Sequence, residues 1–465
     1  MSRLHPTSPS RRRFLGSTLL ALGGTAGLSA AGGLGPLLRL ARADGGNTGR
    51  NYIFCYFSGG WDVLLSLDPR DPRLFHSANL AETMIQPGYE LLDDPGHIVD
   101  VIDTAAGIQF GPYIGDLAAH ADRLAVVRGM SMETLTHEAG RRRFLTGKVP
   151  SGLLARGSSA STWLASLLGD DLLVPQIAVD VESYNVEQPS TASALKVSSV
   201  PDLVRALQPG AATLGLLEER QIDELLRQAS ECPSAQDSAQ WQSGEQARRG
   251  VSAMIEADLA RHFDFQKNDE SMAALRAHYG IAATGVAALR TPEAQAAMAV
   301  TAITAGISRV VSIRANDLSL DTHYSEWTTD QGPRQERGFN AIARMIEDLA
   351  SREYEDSGES WLDHTTIVAF SEFSRTSRLN ASTGRDHSLT NACLLVGAGI
   401  RGGTVAGASS DLGMEPTPTD LETGLPSLGG SIVKPEHVLR ALLVDAGIEE
   451  DVADLRVEPL RAILG

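Results

Sequence analysis

Short, nearly continuous apolar runs recur along the chain: Tyr52 to Phe57, Leu124 to Val127, Gln176 to Asp180, Arg309 to Arg314, Thr365 to Phe370 and Ala392 to Val396. Runs of this length without polar alternation predict strands buried on both faces, as in a parallel sheet covered by helices. Helical segments lie between them. Thr291-Pro292-Glu293 sets a capping hydroxyl and an N1 proline before an Ala-rich helix ending near Gly306. Another helix, from Glu336 to about Ser351, connects two predicted strands. This is the order of a doubly wound α/β domain. Residues 211 to 275 break it: rich in Glu, Gln, Arg, Ala and Ser, they predict a helical insert with a loop at Cys232-Pro233-Ser234. The stretch from Gly407 to Gly430 predicts a long surface loop near the site, followed by a last helix from about Pro435.

Residues 1–43 follow a different logic. Ser10-Arg11-Arg12-Arg13-Phe14-Leu15 runs into a weakly apolar segment of Leu, Ala and Gly that ends at Ala41-Arg42-Ala43. That is the layout of a twin-arginine signal peptide, and it predicts export of the folded protein to the periplasm or beyond. Glycine costs a helix roughly 1 kcal/mol relative to alanine, so the Gly-rich segment would make a poor permanent anchor. Left uncleaved, it would still tether the chain to the membrane. No later segment is long and apolar enough to span a bilayer, and residues 44–465 read as the α/β domain.

Charge narrows the partners. The leader holds six arginines and no acid, which leaves the remainder with 34 basic against 58 acidic side chains. Nucleic acid and anionic membrane are therefore excluded as partners, whereas carboxylates gathered around a cation fit. Three cysteines make neither a disulfide framework nor a thiolate metal site. Cys55 and Cys393 could pair if their strands were neighbours; otherwise they are buried free thiols.

Candidate chemistry gathers where predicted strands end, the edge at which open α/β sheets bind ligands. Ser58-Gly59-Gly60-Trp61-Asp62 follows the first strand, and Asp62 there is either a ligand or a cap. Asp321-Thr322-His323 follows the Arg309 to Arg314 strand and can turn Asp321 and His323 to one cation. Glu372, in Ser371-Glu372-Phe373-Ser374-Arg375, abuts a very apolar strand and needs a metal or an ion pair with Arg375 or Arg378. In Gly384-Arg385-Asp386-His387-Ser388, Asp386 and His387 are both candidate ligands, or Asp386 orients the His387 ring. Oxygen and imidazole donors without thiolate suit a divalent metal, one ion or two, with histidine favouring Zn or Mn. A fifth element, Thr134-Leu135-Thr136-His137-Glu138 before Arg141, Arg142 and Arg143, offers Thr136 as a nucleophile and Arg141 or Arg142 as an anion clamp. It reads equally as a helix start capped by Thr136 with solvated arginines.

Gly59-Gly60-Trp61-Asp62, Asp321-Thr322-His323, Ser371-Glu372-Phe373 and Asp386-His387, in that order behind a twin-arginine leader, resemble the uncharacterised bacterial domain-of-unknown-function family numbered fifteen hundred and one, of the alkaline phosphatase and sulfatase superfamily. The resemblance runs from about Asn51 to the C-terminus. It implies an alkaline-phosphatase-like α/β sandwich with metal ligands at the C-terminal ends of central strands, Asp62, Asp321, His323 and His387 among them. Glu372 stands where the superfamily usually has an aspartate followed by a histidine, and Phe373 takes that histidine's place. The family's Arg-Ser-His-Phe is Leu135-Thr136-His137-Glu138 here. The resulting expectation is an exported metal-dependent hydrolase of small anionic phosphate or sulfate esters. The alternative is a non-catalytic protein that keeps the fold and binds an envelope protein partner.

Overall fold

In the computed structural model of the chain, residues 49–152, 154–208 and 215–465 are described. The leader at 1–43 lies outside them. An eight-stranded sheet forms the centre. Its strands are β1 (Asn51–Phe57), β2 (Leu124–Ser131), β3 (Gln176–Val179), β4 (Leu195–Val197), β5 (Val310–Arg314), β6 (Thr365–Ser371), β7 (Thr390–Gly397) and β8 (Thr404–Ala406). They lie in the order β8-β2-β7-β6-β1-β5-β3-β4. All pairings are parallel except those of β7, which runs antiparallel to both β2 and β6. The protein is thus α/β with a mostly parallel central sheet.

The six apolar runs all became strands because each is buried on both faces; β1 reads buried at every position. β3 stops one residue short of the expected end, where Asp180 adopts a left-handed conformation with φ 54°. Alternate β1 residues feed two cores. Ile53, Cys55 and Phe57 pack toward α3 (Val200–Leu207), α7 (Pro292–Thr304) and α8 (Gly332–Ser351). Tyr52, Phe54 and Tyr56 pack toward α1 (His137–Thr146), α2 (Ala160–Leu168) and α9 (Pro435–Asp445). The Thr291 hydroxyl accepts from Ala294 N and caps α7 as expected. α8 starts ahead of Glu336 because Pro333 sits in its first turn.

Between α3 and α7 the chain forms α4 (Leu216–Ser230), α5 (Ala239–Glu256) and α6 (Glu270–Tyr279). α4 and α5 are tied by Arg248 Nη1 to Asp223 at 2.7 Å. A cavity of about 450 Å³ between them holds arginines matched by carboxylates, not catalytic groups. Cys55 and Cys393 are buried free thiols: their strands do not touch, since β6 lies between β1 and β7. The 407–430 segment folds back on itself through Thr419 and Ser431 and binds Arg70 through Ser409 and Ser410. None of its described hydrogen bonds reaches the site residues. No described helix is long and apolar enough to cross a membrane.

Candidate metal centre

β1, β5 and β6 end at one edge of the sheet. Because β7 is reversed, it begins at that same edge, so His387, just before Thr390, arrives opposite Arg375 and against Phe373, just after β6. Two close approaches complete the assembly. Gly59 has φ 106°, and a Cβ on it would meet Leu320 N and Ser319 Oγ at 2.4 Å each, so only glycine lets the loop carrying Asp321 settle against β1. Gly140 brings α1 onto Glu372, whose carbonyl oxygen would lie 2.3 Å from a Cβ there.

Three imidazoles meet at this edge, each with Nδ1 fixed to an acceptor. His137 Nδ1 lies 2.8 Å from Glu372 Oε1, His323 Nδ1 2.9 Å from Asp386 Oδ1, and His387 Nδ1 2.6 Å from the Leu135 carbonyl. A carboxylate or carbonyl accepts only, so each Nδ1 carries a hydrogen and each neutral ring presents its lone pair at Nε2. Those lone pairs converge on Asp321. Ligand atoms of His137, Asp321 and His387 all lie within 4.8 Å of one another. His137 Nε2 is 3.3 Å from Asp321 Oδ2. His323 Nε2 is 3.0 Å from both Asp321 Oδ1 and His387 Nε2. Two imidazole nitrogens 3.0 Å apart need a proton or a cation between them. The donor set, imidazole and carboxylate without thiolate, fits Zn²⁺ or Mn²⁺.

Charge is organised to match. Burial is the largest single influence and opposes ionisation of Asp321, but the hydrogen bond and charge of Arg375, together with His137 and His387, outweigh it and hold the carboxyl down to about 2. Glu372 is fully buried, which would raise its pKa, yet the His137 hydrogen bond and charge together with backbone amides, Gly59 N among them, bring it below the ordinary glutamate value. Burial pulls His137 down, but its hydrogen bond to Glu372 and the charges of Glu372 and Asp321 together shift it upward. Burial, with Arg375 nearby, shifts His387 downward. Phe373 closes the cluster from the protein side, its ring centroid 4.1 Å from that of His387 and 4.8 Å from that of His137.

Of the expected ligands, Asp321, His323 and His387 share the cluster. Glu372 and Asp386 hold ligand rings instead of facing the centre. Asp62 stands elsewhere, because one oxygen forms an ion pair with Arg385 at 2.9 Å and accepts from Trp327 Nε1 at 2.8 Å while the other accepts from Leu64 N at 3.0 Å. Arg375 pairs with Asp321 at 2.7 Å and not with Glu372. Its Nε donates to Gly60 O at 2.9 Å, Nη1 donates to Arg385 O at 3.2 Å and faces His323 Nε2 at 3.4 Å, and Nη2 also donates to Gly59 O. Thr136 is exposed at the start of α1 with no side-chain cap bond, and Arg141, one turn beyond His137, meets Glu182 at 3.4 Å. His137 is the member of the cluster that sequence reasoning missed, although it lay inside the quoted Leu135-Thr136-His137-Glu138 segment.

Fold and site together define an α/β protein with an imidazole-carboxylate centre at the C-terminal edge of a mostly parallel sheet. The chain belongs to the family described as "Protein of unknown function (DUF1501)", which matches residues 50–423. No curated protein matches it. Among solved structures it is similar to Ps i-CgsB in complex with k-i-k-neocarrahexaose, at 11% identity and TM-score 0.31 over 88% of this chain and 74% of that one. It is also similar to BT4656 in complex with its substrate D-glucosamine-2-N,6-O-disulfate, at 9% identity and TM-score 0.30 over 89% and 80%. Likeness of that depth leaves the chemistry to be argued from the site itself.

Proposed function

We propose that the protein is an exported, metal-dependent hydrolase of small phosphate or sulfate esters, with residues 1–43 as its twin-arginine signal and 44–465 as an alkaline-phosphatase-like domain carrying a helical insert around 211–275. The carrying observation is the convergence of three Nε2 lone pairs on Asp321. His137, Asp321 and His387, with His323 beside them, would hold a divalent ion, which when bound would supply Lewis-acid stabilisation of an anionic ester oxygen. Glu372, Asp386 and the Leu135 carbonyl keep the three rings in the metal-binding tautomer. Arg141 and Arg142, on the helix that begins at His137, are the candidate anion clamp, and each would have to leave its pairing with Glu182 to hold an ester oxygen.

The alternative, a non-catalytic member binding an envelope protein, has one observation in its favour. Among the described residues no Ser, Thr or Cys side chain is hydrogen-bonded to the imidazoles or to the Asp321 carboxylate, so no nucleophile is activated. Metal analysis of the purified chain, followed by a screen of phosphate and sulfate esters on wild type and Thr136→Ala, separates the readings. Bound zinc or manganese with ester hydrolysis supports the hydrolase, and loss of turnover in Thr136→Ala with the ion retained assigns the nucleophile. A metal-loaded chain that hydrolyses nothing favours the binding protein.

A further inference from the structure

We infer that the Arg375 guanidinium is a permanent second cation of this centre, so that the site takes one divalent ion and not two. The inference rests on the metal-binding reading above. The Arg375 side chain is fully buried. Four of its five N–H groups are engaged by Asp321 Oδ1 and the carbonyls of Gly59, Gly60 and Arg385, and the fifth faces His323 Nε2. A guanidinium so saturated has no donor left for a substrate.

Its position decides the count. Asp321 has two oxygens with different neighbours: Oδ2 faces His137, whereas Oδ1 is taken by Arg375 at 2.7 Å and approached by His323 at 3.0 Å and, more distantly, by His387 at 3.4 Å. A second ion would need Oδ1 and His323 Nε2 as ligands, and the guanidinium already contacts both. Charge gives the same answer independently. Asp321, Glu372 and Asp386 against Arg375 leave two negative charges among neutral imidazoles, which one divalent ion neutralises and two would reverse. Arg375 is therefore a positioning residue: it orients Asp321 so that Oδ2 is turned to the ion.

The test is Mn²⁺ loading of the metal-free full chain, with stoichiometry from calorimetric titration and low-temperature electron paramagnetic resonance. The expected result is one ion per chain with the spectrum of isolated Mn²⁺. Two ions, or a spin-coupled pair, overturn the inference and leave the hydrolase reading standing. No ion at all, with Zn²⁺ tried as well, overturns both. Arg375→Ala is expected to admit a second ion and show a coupled spectrum, and Arg375→Lys, which keeps the charge, to stay at one. A folded Arg375→Ala chain that still takes one ion at unchanged affinity shows that the guanidinium does not set the count; should that variant not fold, the wild-type count and spectrum decide alone.

Discussion

Asp62 and Asp321 occupy comparable addresses, each in a segment beyond the end of a central parallel strand, and they have opposite fates. Asp62 is fully buried and its oxygens are matched by Arg385, Trp327 and the Leu64 amide. The Asp321 side chain is 38% exposed, with imidazole lone pairs at three sides and a guanidinium at the fourth. A carboxylate whose partners are all donors is closed to further ligands; one surrounded by acceptors is incomplete without a cation. A strand-end aspartate is therefore defined as a ligand by what its neighbours can donate.

The largest test of that contrast falls on the closed site. Arg385→Ala leaves Asp62 buried and unpaired, and unfolding in denaturant should show a loss of about 3–5 kcal/mol. A loss below about 1 kcal/mol would mean that water already reaches the pair and that the two sites are alike. Next comes the open site. Zinc at a hundredfold excess over its Kd should stabilise wild type by about 2.7 kcal/mol, measured by thermal unfolding with and without metal, and should stabilise neither Asp321→Ala nor His387→Ala. Retained metal stabilisation in Asp321→Ala breaks the comparison outright. Glu372→Gln keeps the shape but weakens the acceptor of His137, so calorimetry should find metal affinity lowered about 10–100-fold. The smallest effect is in acid. The Asp321 carboxyl, held down to about 2, contributes stability that is fully present above the ordinary aspartate value and lost as pH falls through about 4 toward 2. Asp321→Asn should flatten that limb of the stability profile, and an unchanged limb would assign the acid sensitivity to other carboxylates.

The sheet was legible in the sequence because its central strands are buried on both faces and so appear as unbroken apolar runs. β4 and β8 were not, since three-residue edge strands such as Leu195–Val197, intermediate or exposed throughout, carry no such signal. Asp321, His323 and His387 were found because strand-end logic and the family resemblance coincide on them. His137 was hidden by chain distance: 184 or more residues separate it from the other ligands, and a histidine opening a helix after Thr136 reads as part of a cap. Glu372 and Asp386 were recognised as members of the site, but their task of holding ligand rings depends on side-chain direction, which spacing does not encode. Asp62 failed for the complementary reason. Its partner, Arg385, lies more than three hundred residues away, and nothing local to Gly59-Gly60-Trp61-Asp62 announces a buried guanidinium.

β1 lies between β5 and β6, with Tyr52 beside Val310 and Asn51 beside Thr365. On the ribosome, therefore, the first strand of the domain waits for neighbours roughly 260 to 310 residues downstream, which at about 5–20 residues per second is between some ten seconds and a minute. For that interval Asn51–Phe57 is an apolar segment with both edges unpaired, a template for association with any other extended chain. The strand that anchors the Gly59 turn under the imidazole-carboxylate cluster is thus also the nascent protein's chief liability, and chains halted before Val310 should aggregate or stay bound to a chaperone.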